Sequence, residues 1–67
     1  MTPAEARRAL GLSQQEMARA MNVHYMTWRK WERGEREPDN AAKRLMDLLV
    51  FLNSHAPKTL QRCLSEI

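Results

Sequence analysis

The chain has 67 residues, 43% of them hydrophobic and 28% charged, with 11 Lys+Arg against 8 Asp+Glu for a net charge of +3. That length and balance fit one small globular domain over residues 1–67 and exclude a disordered chain, while the excess of positive charge suits a polyanionic partner without requiring one. A single cysteine, Cys63, excludes an internal disulfide and a thiolate zinc site, and the longest apolar run, Leu48 to Leu52, is too short to span a bilayer.

Helices are expected throughout. Thr2, Pro3 and Glu5 open the first one as N-cap, first helical residue and capping-box partner; Ala6, Ala9 and Leu10 give it a narrow apolar face, and Gly11 stops it. Ser13 caps a second helix with Glu16 three residues on, and Met17, Ala18 and Met21 recur at helical spacing. Asn22 sits at a turn that needs positive φ, and Val23 follows as an apolar plug. A third helix is expected from about Tyr25 to Arg33, with His24 at the N-cap, Trp28 and Trp31 on one face and Gly34 at the end.

Residues 35–38 form a loop in which Pro38 holds Glu37 extended. Asp39 caps a fourth helix running to about Asn53. Its apolar residues, Leu45 and Leu49 among them, surround more of it than one face requires, which suits a central core helix or one with a second face against a partner. After a connection over Ser54 to Ala56, Pro57 opens a fifth helix with Leu60, Cys63, Leu64 and Ile67 at i, i+3, i+4 and i+7. The core set is therefore Leu12, Met17, Ala18, Met21, Val23, Trp28, Trp31, Leu45 and Leu49.

The segment Leu12 to Gly34, two short helices joined by a tight turn with polar and basic residues outward on the second, is the arrangement that carries a helix into the major groove of DNA. Its residues Leu12-Ser13-Gln14-Gln15-Glu16-Met17-Ala18, followed by Trp31-Glu32-Arg33-Gly34 and Pro38, resemble the helix-turn-helix domain of the Cro and phage-repressor family, the Xre-like group, over roughly residues 5–52. The resemblance implies an all-α, compact five-helix bundle of the lambda-repressor-like type, with its helix-turn-helix core at 13–33 and residues 39–67 completing the core and offering a dimer surface. It also implies mostly dimeric repressors of phages and bacteria, some of them antitoxins that repress their own operon and some regulators beside anti-CRISPR genes. Three features depart from the family pattern: Asn22 where glycine is commoner, Trp28 where Ile or Val is usual, and a short first helix.

If Trp28 and Trp31 face the core, Tyr25, Met26, Arg29 and Lys30 point away from it, with Thr27 at the edge, and these are the candidate base contacts. The apolar parts of Tyr25 and Met26 suit thymine methyls. Arg29 suits a bidentate bond to guanine, and Lys30 a guanine or a phosphate. Each also has a plainer reading, as core cover for Tyr25 and Met26 and as a solvated face for Arg29 and Lys30.

Gln14 and Ser13 at the start of the second helix, with His24, are candidate DNA-backbone contacts, favoured by the positive end of a helix. The resemblance adds Arg33 and Arg36, in a loop that approaches the DNA backbone, and it implies an ion pair between Arg7 and Glu32 that orients Arg7 toward a phosphate.

An enzyme is not expected. The sequence has no phosphate-cradling glycine loop, no metal constellation and no nucleophile with an evident base, so neither cofactor nor metal is called for, and Cys63 reads as a packing residue on an apolar face. The expected function is that of a sequence-specific regulator of transcription, a dimeric repressor acting on a phage or bacterial operon that includes its own gene, and bound to double-stranded DNA at a palindromic operator. The alternative is an antitoxin or adaptor module that uses the same fold for protein interaction. Phe51, Leu52, Leu60, Leu64 and Ile67 are the candidates for the surface of a homodimer, against the simpler reading that the fifth helix only closes the core of one copy. With no signal-peptide stretch at the start of the sequence, the cytoplasm is the expected location.

Overall fold

A computed structural model describes residues 1–66 and contains five helices: α1 Pro3–Leu10, α2 Gln14–Ala20, α3 Tyr25–Arg33, α4 Asn40–His55 and α5 Pro57–Ser65. Ile67, one of the interface candidates, lies outside the described residues. Each of the first four helices begins on a side chain that accepts a backbone N–H. Thr2 with Glu5 and Ser13 with Glu16 close two complete capping boxes. His24 Nδ1 accepts from Met26 N–H at 3.0 Å, and Asp39 accepts from Ala42 N–H at 2.8 Å. Satisfying these orphan donors matters because helices of seven to nine residues are too short to persist on propensity alone.

The chain reverses where the backbone turns left-handed. Gly11 and Gly34 end α1 and α3 at φ 69° and 75°. A Cβ at either position would meet no neighbour within 4 Å, so the glycine requirement comes from backbone conformation and not from crowding. Asn22 takes φ 56° in the turn between α2 and α3, a conformation that asparagine tolerates better than other residues bearing a Cβ.

The core gathers Ala6 from α1, Met17 and Ala18 from α2 with Met21 just beyond it, Trp28 and Trp31 from α3, Met46 and Leu49 from α4, and Leu60 from α5. Leu12, Val23, Leu45 and Leu64 pack against this cluster while remaining partly exposed. The two tryptophan rings meet edge to face, with centroids 5.6 Å apart. Trp28 and Met17 are the largest fully buried side chains.

Four details differ from the sequence expectations. α4 runs two residues past Asn53, leaving Ala56 alone as the connection to α5, and Ala9 is exposed. Leu60, offered as an interface residue, is only 2% exposed and closes the core of the single copy. Cys63, offered as a packing residue, is exposed. The last two share a cause. α5 turns its Leu64 and Gln61 side toward α2, across a groove also lined by Leu12 and Arg19, and that roll brings Leu60 inward and Cys63 outward.

Candidate nucleic-acid interface

α3 lies against α2 through the turn at Asn22 and against α1 through a polar cluster. Its nine residues carry one acid, Glu32, and the fold draws that acid inward. Arg7 of α1 grips the carboxylate with two nitrogens, Nε to Oε2 at 2.7 Å and Nη2 to Oε1 at 3.3 Å. The third nitrogen, Nη1, donates to the Leu12 carbonyl at 3.1 Å, just ahead of the α2 cap. The indole N–H of Trp28, one helical turn before Glu32, donates to Oε2 as well. The pair is largely shielded, with 20% of the Arg7 side chain and 9% of the Glu32 side chain exposed.

Burial of the Glu32 carboxyl works to raise its pKa. The hydrogen bonds from Arg7 and Trp28, the nearby Gln14 amide and the Arg7 charge outweigh it and hold the group below its ordinary value of 4.5. Glu5 and Glu16 are also lowered, chiefly by the cap backbone N–H groups of Thr2 and Ser13 that they accept.

With Glu32 and the tryptophans turned inward, the opposite stripe of α3 presents Tyr25, Met26, Arg29 and Lys30, with Arg33 one turn further on. Met26 is 41% exposed. Arg29 lies over the Tyr25 ring, 5.6 Å from its centroid, and its Nη1 stands 4.0 Å from Met26 Sδ, so the three side chains form one contiguous surface. Tyr25 is half-buried against the core, which fixes the platform on which Arg29 rests. Thr27 is half-buried at the edge of the stripe.

Around this stripe, Gln14 stands partly exposed at the first position of α2, beside Glu32. Ser13 Oγ is engaged as a cap acceptor, and His24 Nδ1 likewise. Arg33 pairs with Glu35 at 3.0 Å, and Lys43 with Glu37 at 3.4 Å, so both loop acids face a cation. Arg36 is exposed and has no ion-pair partner among the described residues. The surface the fold assembles is thus Gln14, Tyr25, Met26, Arg29 and Lys30, with Arg36 on the adjoining loop. Arg7 stands behind it, committed to Glu32.

The bond from Trp28 to Glu32 escaped the sequence reading. Its only trace there is the i, i+4 spacing, which makes the two side chains neighbours on a helix.

The helix-turn-helix family model matches residues 4–53. The chain belongs to the Cro and phage-repressor, Xre-like helix-turn-helix family of DNA-binding regulators. No curated protein and no solved structure matches it. The match spans α1 to α3 and most of α4, so every residue of the assembled surface falls within it, whereas α5 lies beyond. No helix among the described residues is long and apolar enough to cross a membrane.

Proposed function

We propose that this helix-turn-helix protein is a sequence-specific repressor of transcription that binds an inverted-repeat operator as a homodimer, with α3 of each copy in the major groove. The observation that carries the reading is the inward turn of Glu32, the sole acid of α3, which leaves the outer stripe of that helix cationic and neutral. In this reading Arg29 reads a guanine, Tyr25 and Met26 meet thymine methyls, and Lys30 and Thr27 complete the base contacts. Ser13 and Gln14 at the start of α2 and His24 at the start of α3 contact phosphates, while Arg33 and Arg36 hold another stretch. Arg7 keeps its grip on Glu32 and turns its remaining N–H groups toward a phosphate.

Dimerisation is assigned to the outer face of α4. Leu48, Phe51 and Leu52 are 50%, 57% and 37% exposed there, and Arg44 and Asp47 supply opposite charges on the same turns for a second copy to match. Leu64 faces the α2 side of α5 and Leu60 is buried, so neither adds to this surface. Two copies joined in this way present two α3 helices to successive major grooves, ~34 Å apart on one side of the duplex. Bound over a promoter, the dimer excludes polymerase. A cytoplasmic location follows from that role.

The same exposed α4 face favours a second reading, in which an antitoxin- or adaptor-type module uses it to hold a different protein. Selection of duplexes from a randomised pool, followed by mobility shift at moderate salt, separates the two. Enrichment of a palindrome with half-sites about one helical turn apart supports the repressor. Absence of any sequence-selective shift rules it out in favour of the interaction module.

A further inference from the structure

We infer that Trp28 is a positioning residue for DNA recognition, and that its indole N–H fixes the seating of α3 on α1 through the Glu32 carboxylate. The inference rests on the DNA-binding reading and adds a determinant that never touches DNA. Trp28 is fully buried, and its ring packs edge-on to Trp31. Its N–H reaches the oxygen of Glu32 that also receives Arg7 Nε, and Arg7 in turn donates to the Leu12 carbonyl. One continuous run of hydrogen bonds therefore joins α3, α1 and the lead into α2.

α3 has only two buried residues, Trp28 and Trp31, with Tyr25 half-buried beside them, so its rotation about its own axis is set by how these rings sit and by the hold of Arg7 on Glu32. Apolar packing alone leaves a ring some freedom to slide, whereas a directed bond to a charged, largely shielded carboxylate does not. The residues that rotate with Trp28 are its neighbours Tyr25 and Arg29, which form the centre of the outer surface. A small roll of α3 carries the Arg29 guanidinium off a bidentate position while leaving the count of phosphate contacts unchanged.

The two tryptophans supply an internal control. The Trp31 indole nitrogen is buried with no hydrogen-bond partner among the described residues, so replacing that ring removes volume and no bond. Trp28→Phe removes volume and the bond together.

The test uses the full chain and the duplex that it enriches from a randomised pool, with a shuffled duplex of the same composition as the non-specific probe. Trp28→Phe is expected to lower the ratio of selected to shuffled affinity about tenfold, the scale of a hydrogen bond to a charged group, with the slope of affinity against salt unchanged. Trp31→Phe is expected to leave the ratio within about twofold, as a change that removes no directed bond. Should Trp28→Phe fail to fold, 3-benzothienylalanine at position 28 keeps the ring shape, lacks the N–H, and carries the same expectation.

Amide shifts recorded without DNA read the seating independently of operator binding. In the benzothienyl protein they are expected to move at Tyr25, Arg29 and Leu12 together. If the chain enriches no duplex, the operator reading fails and these shifts still decide whether Trp28 seats α3. A selectivity ratio unchanged in folded Trp28 variants, an equal loss on both duplexes, or amide shifts confined to the residues beside position 28 would each overturn the inference.

Discussion

The three helices before Gly34 and the two after it are held by different forces. In the first region, capping boxes, the His24 cap and the Arg7–Glu32–Trp28 cluster fix each helix with directed bonds, and most large apolar side chains are buried in the core or packed against it, with Met1 and Met26 left exposed. In the second, α4 is capped only by Asp39, α5 begins without a side-chain cap, and apolar contact through Met46, Leu49 and Leu60 joins them to the rest, with one hydrogen bond from Asn53 Nδ2 to the Ala9 carbonyl at 3.2 Å. That region also retains exposed apolar side chains at Leu48, Phe51 and Leu52. Directed bonds fix orientation, which a surface that reads DNA requires. Exposed apolar area is non-directional and suits association.

The sharpest way to break the first region is Trp28→Ala, which removes a fully buried indole ring and a donor to Glu32. It should cost about 3–5 kcal/mol, enough to unfold most of a domain this small in thermal or urea denaturation. Arg7→Ala leaves a shielded carboxylate with fewer donors and should cost about 1.5–3 kcal/mol by urea denaturation.

The same pair sets a pH dependence. Glu32 has a lowered pKa in the folded state, so its contribution is complete above the ordinary value of 4.5 and is lost as the pH falls through the folded value. Urea midpoints should therefore drop on acidification below that point, and should drop less steeply in Arg7→Ala. Ser13→Ala, which opens one capping box, should cost about 1 kcal/mol. The smallest effect on stability tests the second region. At concentrations where the unaltered protein is monomeric, Phe51→Glu should change the unfolding free energy by no more than about 0.5 kcal/mol, yet at higher concentration it should abolish the dimer in sedimentation. A large loss of stability in that variant would place Phe51 in the core of the single copy and erase the contrast.

The caps at Thr2, Ser13, His24 and Asp39 and the turns at Gly11, Asn22 and Gly34 are legible in the sequence because each depends on one or two adjacent residues. The face of α3 is legible because two tryptophans three apart leave little choice of which side is buried. α5 was harder. Its stripe Leu60, Cys63, Leu64 and Ile67 defines a face but not how that face is rolled against the neighbouring helices, and the roll toward α2 decided between Leu60 and Cys63. The Trp28–Glu32 bond depends on side-chain rotamers in the packed state, which spacing alone leaves undetermined. In the candidate surface, the stripe from Tyr25 to Lys30 followed from periodicity, whereas the stacking of Arg29 on Tyr25 emerged only from the packed structure.

A binding titration comparing Arg29→Ala with Gln14→Ala tests most directly whether the outer stripe of α3 reads base sequence. On the duplex selected by the unaltered protein, Arg29→Ala should cost ~1–3 kcal/mol and relax selectivity at one base position, with binding to shuffled DNA nearly unchanged. Gln14→Ala should weaken selected and shuffled duplexes alike. Equal losses on both duplexes for Arg29→Ala would make Arg29 a phosphate contact and contradict the assignment of recognition to that stripe.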